Sequence, residues 1–368
     1  MSCSFGPDLT LDEFSERMLA PIGDARFPFS ASIELTERCN LTCLHCYINQ
    51  PALENAARST ELSTSGWRRI IDQMAEEGTL FLLITGGEPL LREDFEELFI
   101  HTRNRGMLVS LFSNATMLTP RVADVLADWG LHSLEVSLYG ATPETYEKVT
   151  RQTGSFERCL RGIELALTKG FKVSLKTVLL TINQHELDAM RALTESYGLE
   201  FRYDSTLWPR LDGTTANMEY QLSNQAMIQL DLSDPNRRED WEETAQSFEG
   251  QLLRAGNVFT CGAGYRACHI DSGGRMSPCM MVRKPQYEVL SDGFSRAWEN
   301  LGKVRGYKRS MHTACETCLA AALCTMCPGW SLTIAGDFES IYPPVCEIGL
   351  VRYSHFGKQL AYNRNRKD

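Results

Sequence analysis

Between residues 32 and 203 the chain alternates short runs of β-branched and aliphatic residues with longer stretches whose apolar positions recur every three or four residues. Six runs read as strands, at 32–35, 80–85, 108–112, 133–138, 172–178 and 199–203, with helical patterns filling the gaps. In the first helix Trp67, Ile70, Ile71 and Met74 form one apolar stripe. Thr119-Pro120 and Thr142-Pro143 each read as an N-cap followed by proline at the first helical position, and Gly130 is a stop. Gly154-Ser155 opens a helix that turns Phe156, Leu160, Ile163 and Leu167 to the core, with Cys159 on the same stripe and Gly170 at its end. Six consecutive βα units predict an α/β fold, a partial six-stranded (β/α)6 version of the TIM barrel, in which chemistry gathers at the carboxyl ends of the strands.

After residue 204 the periodicity loosens, with helical candidates at 223–232 and 238–253. Beyond Cys261 glycine, proline and cysteine outweigh periodic apolar sequence. The expected division is an N-terminal extension at 1–30, the barrel at 31–210, a helical bridge at 211–260, a cysteine-rich unit at 261–350 stabilised largely by metal ligation, and a basic tail at 351–368 that can form a short helix. The 368 residues carry a formal net charge of −10, which disfavours nucleic acid as a partner. The amino terminus lacks the basic start and apolar stretch of a signal peptide, and no apolar run is long enough to span a bilayer, so a cytoplasmic protein without membrane contact is expected. Thirteen cysteines in a reducing compartment point to metal binding, catalysis or burial rather than disulfides.

Cys39, Cys43 and Cys46 follow the first strand directly and put three thiolates in one loop above the barrel. A structural zinc site closes with four ligands, whereas a four-iron cluster on three cysteines keeps one iron open for a small molecule. A zinc knuckle completed by His45 or a distant side chain is the alternative.

This C-x3-C-x2-C loop, with Tyr47 after the third cysteine, resembles the defining motif of the radical S-adenosylmethionine superfamily. The resemblance implies a [4Fe-4S] cluster whose open iron is chelated by S-adenosylmethionine, and an electron transfer that splits the cofactor to a 5′-deoxyadenosyl radical able to take hydrogen from an unactivated C–H bond. Cys39, Cys43 and Cys46 would then be the catalytic cluster ligands. Gly86-Gly87-Glu88, just past the second strand, resembles the family's GGE motif, which receives the methionine amino group. Ser137 matches a ribose-binding serine, with Tyr139 where relatives often carry aspartate. Arg151 resembles an arginine that pairs with the methionine carboxylate. Asn114 would reach cofactor or substrate, and Tyr47 would lie by the adenine or pack on the cluster loop.

Cys261, Cys268, Cys279, Cys315, Cys318, Cys324, Cys327 and Cys346 supply eight further thiols, enough for two four-ligand sets. Two zinc ribbons would use as many, but the first three lack the paired C-x2-C spacing a ribbon favours. The arrangement, with Gly274 before Cys279, resembles the SPASM extension of radical enzymes. It departs in the two residues between Cys324 and Cys327, where three are common. The resemblance assigns Cys261, Cys268, Cys279 and Cys327 to one auxiliary [4Fe-4S] cluster and Cys315, Cys318, Cys324 and Cys346 to a second, making three clusters in all, with both auxiliary clusters fully ligated. Cys159 reads as a buried apolar cysteine and Cys3 as a terminal bystander.

Enzymes with this pair of regions mostly modify ribosomally made peptides, so the resemblance implies a peptide substrate, cross-linked, oxidised or rearranged. It also implies a flavodoxin- or ferredoxin-type reductant and, with about thirty residues before the first strand, a separate leader-peptide recognition protein. Met280 stands where the sulfatase-maturing subgroup carries an aspartate base, which ranks that reaction low. Tyr203 and Asp204 are further pocket candidates. The alternatives are modification of a small molecule or tetrapyrrole side chain, and, from another class, a non-catalytic iron–sulfur electron carrier or scaffold.

Overall fold

The computed structural model describes residue 17 and residues 20–48, 50–251, 256–310 and 314–357. Most of the N-terminal extension, Cys3, the end of the second bridge helix at 252–253 and the tail from 358 lie outside the described residues. The six expected strands are β1 (Ser30–Thr36), β2 (Phe81–Gly86), β3 (Leu108–Ser113), β4 (Ser133–Ser137), β5 (Val173–Val178) and β6 (Glu200–Asp204), paired in parallel in that order. Period-two alternation sends Ile33, Leu82, Ile84, Val109, Leu111, Val136 and Leu175 to the outer face, all at most 1% exposed. Helices α1 (Thr64–Glu76), α2 (Phe95–Asn104), α3 (Pro120–Asp128), α4 (Pro143–Thr150), α5 (Ser155–Thr168) and α6 (Leu187–Ser196) cover that face. The stripe Trp67, Ile70, Ile71 and Met74 is fully buried against it, as is Cys159. Thr119 and Thr142 cap α3 and α4 by accepting from Val122 N–H and Thr145 N–H. The concave face keeps the polar set: Glu34, Thr85, Glu135, Ser137, Lys176, Arg202 and Asp204.

The sheet continues past β1. Strand β7 (Ala267–Ile270) pairs with it in parallel, and β8 (Arg275–Ser277) and β9 (Tyr287–Glu288) follow antiparallel, so the order is β9-β8-β7-β1-β2-β3-β4-β5-β6. The first half of the cysteine-rich region is therefore built on the barrel's own sheet. Its Ile270, Met276, Phe294 and Leu301 belong to the same apolar core as Ile33 and Trp67, so apolar packing stabilises this part, where the sequence led us to expect metal ligation. The second half packs as a smaller cluster in which Trp330 stacks on Trp208 at 4.1 Å and on Tyr342 at 5.3 Å. In the bridge, α7 (Asn224–Ser233) and α8 (Pro235–Ser247) are tied down by the buried Asp231, which accepts from Arg237 at 2.7 Å and from Arg352 at 2.8 Å. No helix among the described residues is long and apolar enough to cross a membrane.

Candidate cofactor and metal sites

At the carboxyl ends of the strands the concave face holds a cavity of about 330 Å³ lined by the thiols of Cys39, Cys43 and Cys46, by Thr85, Gly86 and Gly87 after β2, by Asn114 after β3 and by Ser137 ending β4. The cysteine loop is anchored on both sides. Arg38, just before Cys39, donates to both oxygens of Glu61, Nε to Oε1 at 2.7 Å and Nη2 to Oε2 at 3.1 Å. Farther on, Thr42 N–H and Leu44 N–H donate to the carbonyls of Thr150 and Val149 at 3.1 and 3.0 Å, fixing the loop to the end of α4. Cys39 Sγ accepts from Leu41 N–H at 3.4 Å and from Asn114 Nδ2 at 3.7 Å. Burial, with Glu88 adding, pushes the Cys39 thiol up to about 12, and burial raises Cys43 as well. Thiols so raised ionise only beside a cationic centre, which is the donor chemistry a cluster's iron answers. Among the described residues no group of His, Cys, Asp and Glu closes on a point suited to one metal ion. His45 instead packs its buried ring on Tyr139, with centroids 4.5 Å apart.

The two glycines after β2 serve a close approach of backbone to backbone. A Cβ on Gly86, whose φ is +133°, would stand 2.2 Å from Thr36 O, and one on Gly87 would stand 2.2 Å from Arg38 O. Gly87 N–H and Glu88 N–H donate to those same carbonyls at 2.8 and 2.9 Å, so the GGE loop is clamped to the chain entering Cys39. The Glu88 carboxylate turns away from the cavity lining. It accepts from Ser113 Oγ at 2.9 and 3.0 Å, from Asn114 N–H at 2.8 Å and from Leu90 N–H at 3.1 Å, and burial raises its pKa to about 7. The structure thus makes Glu88 the tie between the ends of β2 and β3, and leaves the glycine loop itself at the cavity.

Tyr47 and Tyr139 both line the cavity; the Tyr47 hydroxyl lies 3.9 Å from Met280 Sδ, and Met280 is itself on the wall. Asn114 Nδ2 also donates to Asn40 Oδ1 at 3.0 Å. Arg151 is not brought to the cavity. It ends α4 in the left-handed conformation, φ +55°, and is exposed. Of the two candidates on β6, Asp204 lines the cavity and Tyr203 does not, because neighbouring strand residues face opposite ways; the Tyr203 ring lies under the Arg237 guanidinium at 4.6 Å. Lys176 and Arg202, which motif reading passed over, are on the wall. The alternation of β5 and β6 was the available signal.

Of the eight later cysteines, Cys315, Cys318, Cys324 and Cys346 line one small enclosed cavity. Gly349, one turn after Cys346 on the helix Pro343–Arg352, lets Cys324 approach: a Cβ at Gly349 would meet Cys324 Cβ at 2.6 Å. Cys279 is within electrostatic reach of Cys327 and Cys261. Cys327 precedes the first turn of the helix Pro328–Ala335, where a Cβ on Gly329 would stand 3.1 Å from Met281 O. Cys268 is not with them. It lies on β7, 3% exposed, turned into the main apolar core on the opposite side from His269, and the charged group that reaches it is Arg26.

The radical SAM superfamily family model matches residues 33–193. The chain is 30% identical over 309 residues to the mycofactocin maturase MftC of Mycobacterium tuberculosis, covering 79% of this chain and 75% of that protein. It is 26% identical over 329 residues to the AdoMet-dependent heme synthase of Methanosarcina barkeri, covering 83% and 92%. Among solved structures, Streptococcus suis SuiB bound to S-adenosylmethionine has a similar fold, with a TM-score of 0.68 at 16% identity over 93% of this chain and 84% of that one.

Proposed function

The chain belongs to the radical SAM superfamily, as an enzyme of the radical SAM/SPASM type, and from that premise we propose that it oxidises a ribosomally made peptide within the cavity above β1–β6. The observation that carries the reading is that one cavity is lined both by Cys39, Cys43 and Cys46 and by Met280, the neighbour of Cys279. A substrate held there would lie beside the trio and beside the residue that follows Cys279. When bound, the trio's [4Fe-4S] cluster and S-adenosylmethionine supply a carbon radical able to remove a hydrogen atom. The chain's own part is placement. The Gly86–Gly87 backbone and Asn114 would hold the methionine end of the cofactor, Ser137 its ribose and Tyr47 its adenine, while Glu88 fixes the loop that carries them. Cys261, Cys279 and Cys327 would hold one auxiliary cluster and Cys315, Cys318, Cys324 and Cys346 a second. A flavodoxin- or ferredoxin-type reductant, a separate leader-recognition protein and a reducing cytoplasm complete the reading.

The mycofactocin maturase likeness favours a peptide; the heme synthase likeness favours a second reading, oxidation of a tetrapyrrole side chain. Reconstituted anaerobically, the protein should form 5′-deoxyadenosine from S-adenosylmethionine and dithionite, and Cys43→Ala should form none. Co-expression with a small peptide encoded beside it, where one is found, should remove two hydrogens from that peptide by mass spectrometry. An unaltered peptide, together with a mass change in an iron coproporphyrin, would hand the assignment to the tetrapyrrole.

A further inference from the structure

We propose that Lys176 is the proton acceptor of the oxidation, the base that takes the second hydrogen of the substrate as a proton. This deepens the peptide-oxidation reading and rests on it. Removal of one hydrogen atom leaves a substrate radical next to an X–H bond, where X is a neighbouring carbon, nitrogen or oxygen. To become a closed-shell product the substrate gives one electron to an oxidised iron–sulfur centre and one proton to a base, and the X–H bonding pair becomes the new π bond. The base must stand in the cavity and be able to be neutral.

The wall offers few such groups. Met280 has no basic atom. The Tyr47 hydroxyl is turned to Met280 Sδ at 3.9 Å, and the His45 ring packs on Tyr139 with centroids 4.5 Å apart. Lys176 projects from β5 into the cavity with its side chain four-fifths covered. Its Nζ stands 2.9 Å from the centroid of the Phe112 ring and 3.8 Å from Glu135 Oε2. That carboxylate is shared: Arg202 Nε donates to the same oxygen at 2.9 Å, so Glu135 only partly holds a proton on the lysine. Asp204 on β6, His45, Tyr47, Tyr139 and the trio of thiols are the other charged or titratable groups on the wall. Burial, opposed by Glu135 and reinforced by Arg202, brings the Lys176 pKa down to about 7. A neutral amine is thus accessible near neutrality, and an amine of that basicity both accepts and releases a proton efficiently.

The experiment follows deuterium and product together, using the holoenzyme and, in uniformly deuterated form, the small peptide that co-expression shows to be its substrate. With the native enzyme, deuterium should enter 5′-deoxyadenosine, and oxidised peptide per 5′-deoxyadenosine should rise with pH through a midpoint near 7. Lys176→Met should still pass deuterium into 5′-deoxyadenosine while oxidised peptide per 5′-deoxyadenosine falls about 100-fold. Lys176→Arg, always protonated, should fall as far. Deuterium transfer in each variant also shows that it is folded. Full coupling in Lys176→Arg would overturn the proposal, since only a positive charge would then be needed; so would full coupling in Lys176→Met, or loss of coupling in Asp204→Asn alone. Absence of deuterium transfer in the native enzyme would instead sink the peptide reading itself.

Discussion

At Gly87 a side chain is excluded by backbone alone: a Cβ would stand 2.2 Å from the carbonyl oxygen of Arg38, 2.5 Å from its carbon and 2.7 Å from the carbonyl oxygen of Glu37. Gly87→Ala should therefore push the GGE loop away from the chain entering Cys39. We expect Gly87→Ala protein to bind S-adenosylmethionine at least ten-fold more weakly, by equilibrium dialysis of the anaerobic protein, and to lower Tm by several degrees, because both backbone hydrogen bonds to β1's exit would be lost. Cys268 makes the opposite case, a residue whose type suggests a ligand and whose place denies it. Cys268→Ala should keep the same iron content as the native protein, whereas Cys279→Ala should lose about a third of it, four irons of roughly twelve. Equal loss in both would put Cys268 back among the ligands. The cavity thiols and glycines were legible because their chemistry lies in short spacing along the chain. Lys176 was not: a lysine in a strand reads as a solvated residue until the neighbouring strands show that its face is the inside of a barrel. Glu88 was legible as a functional residue, but the direction of its carboxylate depends on Ser113 and Asn114, which only the fold brings near.

The elements put these residues in place through a small number of buried ties. Arg38 and Glu61 have side chains 10% and 6% exposed, and Arg92 Nη1 lies 3.5 Å from Glu61 Oε2. Two guanidiniums therefore share one carboxylate beside the exit of β1. Glu61→Ala would leave both without it, and should cost about 3 kcal/mol of stability in chemical denaturation while loosening the first cysteine loop, seen as slower cluster reconstitution at the trio. Trp67→Ala, which empties a fully buried site under β1 and β2, should cost about 3–5 kcal/mol without altering the cavity wall. Strands β1–β6 were readable because four to seven residues of alternating or continuous apolar sequence precede a helix with a recognisable cap. Strands β7–β9 have four, three and two residues, and polar or small residues such as Cys268, His269, Arg275 and Ser277 make up much of them. Their strand character comes from pairing with β1 and with one another rather than from local pattern, so a sequence window contains little to reveal it.

At the scale of the molecule, the pairing of β7 with β1 changes what a truncation should do. Were the cysteine-rich region an independent unit, a chain ending at residue 260 would keep an intact barrel. In the structure that cut would strip β1 of a partner over Ser30–Ile33 and uncover the core packed by Ile270, Met276, Phe294, Ala297, Trp298 and Leu301. Burying a large apolar side chain contributes about 1.5–3 kcal/mol, so the loss of several such residues exceeds the roughly 5–15 kcal/mol by which a domain is ordinarily stable. A chain of residues 1–260 should consequently lack a cooperative thermal transition and bind an apolar dye, even when the trio is supplied with iron and sulfide. Ending the chain at residue 310 instead retains β7–β9 and the helix at Phe294–Leu301 and should restore cooperative melting, although it lacks Cys315, Cys318, Cys324 and Cys346. The contrast between the two ends separates the part of the cysteine-rich region that completes the barrel from the part whose cysteines form a set of their own. Cooperative unfolding of the 1–260 chain would show that the shared core is not needed.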